Sequence, residues 1–357
     1  MKIVQIFFEK TGQFMDKRPL LNRLRPLFEA LDELFLGTAK TTSGAPHILD
    51  AHDLKRYMAI VVTWVAPAAI AGIYLYGLRV LLVILVSYIF GGVTEVIFSV
   101  IRKKPVYEGF LVTGLIFPLI LPPTVPLWMV AVGIVFGVFF GKEVFGGTGR
   151  NIFNPALVGR VFLSLAFPEA FTNLWNIPLL KGLGGFVQCT ADAVTSATPL
   201  IAFKSTQVMA SVSSLLFGQT PGSIGETFRV AIILGGIMLM VTRVADWRIP
   251  LSYLASVVVV SAIGHAVSPA LFAPPLFQVV SGGLLFGLFF MATDPVTAPM
   301  TFEGKWVFGI VLGILTVLIR GLTGFVEGVM FAILIGNALA PLIDTLVLNC
   351  RYPKVKV

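Results

Sequence analysis

Charge is scarce in this chain. Of its 357 residues only 12% are Asp, Glu, Lys or Arg, and 57% are apolar. A soluble globular domain carries about 25% charged residues. Mean hydropathy is +0.92, and the apolar residues form long runs, so a bilayer is the solvent for most of the chain. Cysteine is nearly missing. Cys189 and Cys350 are too few for a disulfide framework or a four-ligand metal site. The three histidines, His47, His52 and His265, include no pair at ligand spacing, so a metal site built from this chain alone is not expected. Residues 1–54 lack a short apolar core behind a basic start, so no cleavable signal is read. The net charge of +8 does not point to nucleic acid. The basic residues sit at the ends of apolar segments and form no stripe or patch.

What the chain has in quantity is membrane-length apolar sequence. A spanning helix needs roughly 20 such residues. Segments start near Tyr57, Arg79, Gly109, Pro126, Pro155, Arg229, Pro250, Gln278, Lys305 and Phe325. The expected fold is an all-α polytopic membrane protein of about ten transmembrane helices. The runs near 109–122, 126–141 and 155–168 are short for a crossing. Interrupted by Gly and Pro, they read as broken, half-membrane helices. Residues 1–54 form a polar arm, with helical apolar spacing over Leu20–Leu36 that suits a membrane surface or a partner.

Lysine and arginine set the orientation. With the arm inside, the cytoplasmic connections hold Lys55, Arg56, Arg102, Lys103, Lys104, Lys142, Arg150, Arg243, Arg248 and Lys305, and the tail holds Arg351, Lys354 and Lys356. The short outer connections hold only Arg79 and Arg320. The expected organisation is a cytoplasmic arm (1–54), five helices (55–168), an outer loop (169–227), five helices (228–347) and a cytoplasmic tail (348–357).

The two halves resemble each other. GFLVTGLIFPLILPPTVPL (109–127) aligns with GGLLFGLFFMATDPVTAPM (282–300), and GIVFG (133–137) with GIVLG (309–313). Ordered matches include Gly114 with Gly287, Phe117 with Phe290 and Pro122 with Pro295. Chance similarity among apolar helices is the plain alternative. A true duplication with an odd number of helices per half would be two inverted five-helix repeats, which place a transport site where the halves meet.

Three features carry possible chemistry. The long polar loop contains Asp192-Ala-Val-Thr195-Ser196-Ala197-Thr198-Pro199. The Thr198 hydroxyl, beside small neighbours, could be esterified by a separate enzyme. On pattern alone an ordinary Ser/Thr-rich turn is the stronger reading. The acids Glu95, Glu108 and Asp294 lie in or beside apolar segments. An acid at membrane depth is costly and points to function, and hard cations prefer oxygen ligands. A salt bridge to a nearby base, such as Arg102 for Glu95, is the plain alternative. Finally, GKEVFGGTGRN (141–151) could present backbone amides to a phosphate or ring edge. It is neither a P-loop nor a dinucleotide fingerprint, and close helix packing or a turn explains its glycines equally well.

HDLKRYM (52–58), RKKPVYEGFLVTGLIFPLILPPTVPLW (102–128), GKEVFGGTGRNIFNPALVGR (141–160), PGSIGE (221–226), FGLFFMATDPV (286–296) and EGVMFAILIGNALAPLID (327–344) resemble the NqrB/RnfD family. Within it the likeness is to the B subunits of sodium-translocating NADH:quinone reductases. The RnfD branch, which serves complexes that pass electrons from ferredoxin to NAD, is a weaker match. The flavin motif departs from the family's Ser-Gly-Ala-Thr, reading Thr195-Ser196-Ala197-Thr198 here, and the connection near Tyr76 to Arg79 is shorter than the family's.

The resemblance implies FMN joined covalently to Thr198, with Asp192, Thr195, Ser196 and Ala197 around it. It also implies riboflavin in the membrane part, where Asn151 and Asn154 could hydrogen-bond it. A sodium path would pass Glu95 and Asp294 and a hydrophobic constriction of Val112, Leu115, Leu119, Phe286 and Phe290, with core packing as the plain alternative. Electrons would go to ubiquinone with sodium export. The implied partners are the other subunits of a six-subunit complex, a flavin transferase and lipid, and the implied place is a bacterial inner membrane. The chain has no recognisable NADH site or iron-binding cysteine set of its own, so electrons must come from other subunits. A non-redox secondary transporter is the rival of a different class.

Overall fold

The computed structural model describes residues 54–103, 109–178, 197–325 and 327–352. Their extended elements are all helical. In lipid the backbone must satisfy its own polar groups, and a helix does so within one segment. The first half holds α1 (Leu54–Tyr76), α2 (Arg79–Arg102), α3 (Gly109–Leu119), α4 (Leu127–Val138, continued by a π-helical turn at Phe139–Glu143) and α5 (Pro155–Ala166). Short helices α6 (Pro168–Asn173), α7 (Pro199–Thr206) and α8 (Val212–Leu216) follow. The second half holds α9 (Arg229–Val241), α10 (Arg248–Val267), α11 (Pro275–Val280), α12 (Leu284–Phe286, continued by a π-helical turn at Gly287–Met291), α13 (Phe302–Leu322) and α14 (Val329–Arg351).

Five helices, α1, α2, α10, α13 and α14, are long and apolar enough to cross a membrane. With these the chain is a multi-pass membrane protein. Three more, α3, α5 and α9, are apolar but shorter. The three runs read as short from sequence are short here too, with 11 residues in α3 and 12 each in α4 and α5. Two expectations need correction. The segment from Gln278 is not continuous: the chain leaves the helix at Ser281–Gly283, where Gly282 takes φ 64°. The last helix begins at Val329 and not Phe325, because Gly328 at φ 61° ends the turn before it.

Helix α2 shows how the bilayer shapes a surface. Leu81, Leu85, Ile89, Val93 and Ile97 recur at helical spacing and are exposed, which suits lipid. The other side, with Val83, Ser87, Gly91, Thr94 and Glu95, is buried. Lipid gives apolar side chains no reason to leave it, so helices associate through small residues that allow close approach. The repeated Gly pairs do this in both halves. A Cβ on Gly133 or Gly137 would press on α5, against the Leu163 side chain in the first case and the Pro155 carbonyl in the second. A Cβ on Gly309 or Gly313 would press on α10 at Ser252 and Ser256.

Helix pairing follows one pattern twice. In the first half α1 packs on α3, α2 on α3 and α4, and α4 on α5. In the second, α9 packs on the α12 segment, α10 on α11 and α13, and α13 on α14. Between halves α1 meets α9 and α5 meets α14. The basic connections share one face. Tyr57 Oη donates to the Val244 carbonyl, Lys305 bonds Asp246 (2.8 Å), Arg102 bonds Glu143 (2.6 Å) and Arg351 bonds Glu303 (2.6 Å). On the opposite face Tyr76 Oη donates to the Gly222 carbonyl (3.2 Å) and Arg79 to the Thr124 carbonyl (3.1 Å).

Candidate functional site

On the basic face a cavity of about 70 Å³ lies between the halves. Tyr57 and Val61 of α1, Val112 and Thr113 of α3, Lys142, Thr148, Asn151 and Asn154 line it from the first half. Leu239, Val244, Phe290, Thr293 and Asp294 line it from the second. Both π-helical turns border it. Such turns rotate side chains out of the α-helical register and are frequent at functional sites. One carries Lys142 and the other Phe290.

Several sequence-selected residues meet here. Asn154 caps α5: its side-chain oxygen accepts from the Ala156 N–H (3.1 Å), with Pro155 at the first helical position. Asn337 of α14 approaches from the other half, its amide oxygen toward the Asn154 N–H (3.3 Å) and its nitrogen toward the Ile333 carbonyl (3.2 Å). Asn151 donates to the Phe153 carbonyl (3.1 Å). Asp294 accepts from the Val296 N–H and the Thr297 hydroxyl, each at 3.2 Å. This local turn holds its carboxylate at the cavity wall.

Glu95 does not pair with Arg102. Its partner is the Lys142 ammonium, and both side chains are buried, at 4% and 3% exposure. Arg102 sits one turn too far toward the end of α2 and bonds Glu143 instead, through its carboxylate and its carbonyl. A buried charge must be paired. Lys142 meets that need because the π-helical turn directs it inward, while its neighbour Glu143 takes Arg102.

The five residues expected at a constriction lie on α3 and on α12 with its π-helical turn. Val112 and Phe290 border the cavity. Phe286 and Phe290 have ring centroids 5.1 Å apart. At the far end Leu119 and Phe286 close on Gly225, where a Cβ would lie 2.6 Å from Leu119 Cβ and 3.2 Å from the Phe286 ring. Leu115 is buried in the same apolar core. The Ile224 and Gly225 N–H groups donate to the Leu121 and Leu119 carbonyls (3.1 and 2.6 Å), which α3 leaves without helical partners.

Beyond the end of α3 lies a second buried ionic group that sequence reading did not single out. Arg160 of α5 donates to the Ile120 carbonyl and to Glu327 (2.8 Å), and stacks over Phe171 at 4.5 Å. Arg320 of α13 donates to the Gln278 carbonyl (2.7 Å), the Ser281 carbonyl (3.1 Å) and the Glu327 carbonyl (3.0 Å). Arg229 donates to the Leu215 carbonyl, and Glu226 accepts from the Ser223 N–H (2.8 Å). Arg160, Arg229, Arg320 and Glu226 are all buried. The signal was present in sequence, since arginine inside an apolar run is expensive and marks a buried role.

Thr198 caps α7. Its hydroxyl oxygen accepts from the Ile201 N–H (3.5 Å) and Pro199 opens the helix. Helix α7 packs beside the broken helix: a Cβ on Gly282 would meet Leu200 Cδ1 at 2.7 Å and the Arg320 guanidinium at 3.1 Å. Ala197 is exposed. Asp192, Thr195, Ser196 and Glu108 lie outside the described residues.

Residues 41–352 match the NQR2, RnfD, RnfE family. The chain is 36% identical to the B subunit of the Na(+)-translocating NADH-quinone reductase of Azotobacter vinelandii, over 99% of this chain and 98% of the relative. It is 37% identical to the protein of that name from Pseudomonas aeruginosa (strain LESB58), over 98% and 96%, and 35% identical to that of Klebsiella pneumoniae (strain 342), over 94% and 95%. The first alignment runs over 403 positions against 357 residues here, so the relative carries residues that this chain lacks.

Proposed function

The chain belongs to the NQR2, RnfD, RnfE family, and from that premise we propose that it is the membrane-embedded B subunit of a sodium-translocating NADH:quinone reductase. The observation that carries this reading is similarity from end to end, 99% of this chain with 98% of a relative of that name. Other subunits oxidise NADH, a membrane quinone such as ubiquinone accepts the electrons, and sodium export is coupled to the transfer. The basic face supports an orientation in a bacterial inner membrane with that face cytoplasmic.

The repeated pairing of helices supports a reading as two inverted five-helix halves. The cross-half contacts join like to like, first helix to first and last to last, as a two-fold axis in the membrane plane requires. On this reading α12 with its π-helical turn is the counterpart of α3, and the stretch after Met291 is the counterpart of the unwound end of α3. The constriction between them is the ion gate, made of Val112, Leu115, Leu119, Phe286 and Phe290, with Glu95 and Asp294 on its cytoplasmic side. Dry, close-packed apolar groups block an ion until they part and wet.

Thr198 suits covalent FMN. Its hydroxyl stands at the start of an eight-residue helix, where N–H groups and the helix dipole favour a phosphate. When bound, the flavin supplies the electron carrier that the side chains lack. Asp192, Thr195 and Ser196 precede that threonine and Ala197 leaves room beside it. For riboflavin, the mixture of apolar walls with Asn151, Asn154, Thr113 and Thr148 suits a flat polar-edged ring. A void of about 70 Å³ holds only a few waters, so a ring would require the cavity walls to part.

The test is intact mass and in-gel flavin fluorescence of the denatured chain, produced in its own host beside Thr198→Ala. One FMN of added mass with fluorescence, both lost in the variant, supports the redox reading. A bare, colourless wild type would favour a transporter without a redox group. Turnover of the purified complex with NADH rather than reduced ferredoxin separates it from the Rnf branch.

A further inference from the structure

Helix α7 carries Thr198 at its start, and its eight residues are too few to hold a helix by themselves in water. Its order comes from what it sits on. Leu200 and Phe203 are buried in a small apolar core with Leu215 of α8, Ala273, and Phe277 and Val280 of α11. The Phe203 and Phe277 ring centroids lie 5.8 Å apart. This core is distinct from the main one. Apolar contact is non-directional, so it buries one face of α7 without fixing how the helix turns or slides on that face.

Two polar side chains supply the register. Gln207 ends α7 in the left-handed region at φ 58°. Its N–H donates to the Phe203 carbonyl (2.9 Å) and its side-chain amide to the Ala270 carbonyl (3.0 Å). Lys204, in the last turn of α7, reaches the end of α13. Its ammonium donates to the Arg320 carbonyl (3.4 Å) and to the carbonyl of Thr323, the residue that caps α13. A helix leaves its last carbonyls without partners, and the negative end of its dipole favours a cation there. Arg320 is also the residue whose guanidinium holds the Gln278 and Ser281 carbonyls at the broken helix. Lys204 therefore seats α7 on the element that fixes the break.

Resting on the reading of Thr198 as the flavin carrier, we propose that Lys204 is a positioning residue for electron transfer: bound to the C-terminal carbonyls of α13, it fixes the register of α7 and so the place at which a group on Thr198 stands. About 9 Å of helix separates the two residues, so Lys204 acts through the helix and not by contact.

The experiment compares Lys204→Met and Lys204→Arg with wild type in the purified complex. Methionine keeps an apolar stem and removes the ammonium, whereas arginine keeps the charge and the donors. Lys204 is exposed, so water takes over both carbonyls in Lys204→Met and the chain still assembles. Deuterium exchange of the amides of residues 199–207, read by mass spectrometry, should quicken about threefold in Lys204→Met, the scale of a cation at an exposed helix end. The flavin that is missing from a Thr198→Ala complex is then followed through a single turnover, in its reduction by NADH and its reoxidation by quinone. At least one of those rates should fall about tenfold in Lys204→Met, since misplacing a reacting group by about 1 Å can cost about a hundredfold. The KM values for NADH and quinone should not move, and Lys204→Arg should restore exchange and rate together. Unchanged exchange in Lys204→Met, or faster exchange with both rates intact, would overturn the proposal. A wild-type chain bearing no flavin at Thr198 would sink the functional reading instead, and the exchange data would still decide whether Lys204 seats α7.

Discussion

The molecule buries two ionic groups, and they are built in opposite ways. On the basic face Lys142 meets Glu95 beside an open cavity. On the other face the buried bases are arginines, and they do not line the cavity between the halves. Arg160 and Arg320 direct their N–H groups to carbonyls freed where α3, α11 and the turn before α14 end. Burial alone therefore does not tell a moving part from a fixed one. A lysine with one partner and space beside it can change partner. An arginine shared among helix ends and a carboxylate across the halves is a clamp.

The largest effect should come from breaking the clamp. Arg160→Ala leaves Glu327 without its partner and the Ile120 carbonyl orphaned, and should cost about 3–5 kcal/mol. It should appear as a fall in the melting temperature of the detergent-solubilised protein. Lys142→Gln should melt closer to wild type, because water entering the cavity can compensate Glu95. Equal losses for the two would erase the distinction. Next comes helix packing in the scaffold that carries both groups. Gly309→Ala drives a methyl into Ser252 Oγ and to 2.8 Å from the Ile249 carbonyl, and overpacking of this kind costs about 1–3 kcal/mol. A double variant with Ser252→Ala should recover part of the melting temperature and not all of it, since the backbone contact remains.

Smaller effects probe the helix starts beside each group. Asn154→Ala and Thr198→Ala each remove a capping oxygen, worth about 1 kcal/mol. Their chemical readouts differ. Thr198→Ala should lose the covalent flavin mass, Thr198→Ser should keep both cap and acceptor hydroxyl, and Asn154→Ala should leave that mass untouched.

Much of this was legible in the sequence. The helix starts at Arg79, Gly109, Pro155 and Arg229 stand where the apolar runs, prolines and arginines put them. The cavity gathers Val112, Asn151, Asn154, Phe290 and Asp294 from separate motifs, because α3, the start of α5 and the π-helical turn after α12 meet between the halves. Partners were not legible. Arg102 is closer to Glu95 in sequence than Lys142 is, and only the π-helical turn at Phe139–Glu143 decides which base reaches inward. Local composition carries no trace of that turn. The clamp was missed for a related reason: Arg320 reads as an outer-connection charge and Arg229 as a segment start, and Arg160 was not singled out within its apolar run, until the ends of broken helices, which they serve, are placed beside them.

The smallest prediction tests whether charge pairs outside the membrane resemble either group. Asp246, in the turn between α9 and α10, binds Lys305 (2.8 Å) and Arg248 (3.1 Å). Partial burial pushes its carboxyl upward. The Lys305 hydrogen bond, the Arg248 backbone N–H and the two positive charges outweigh that and hold it below the ordinary carboxylate value. A carboxylate held down in the folded state stabilises above its unfolded value and loses that contribution as pH falls through the folded one. The melting difference between wild type and Asp246→Asn should therefore be flat above roughly pH 5 and shrink toward roughly pH 3. Its size should be under about 1 kcal/mol, as for other water-screened pairs. A difference as large as that of Arg160→Ala would mean that the α9–α10 turn is a third clamp, and that the basic face is not the yielding side of the molecule.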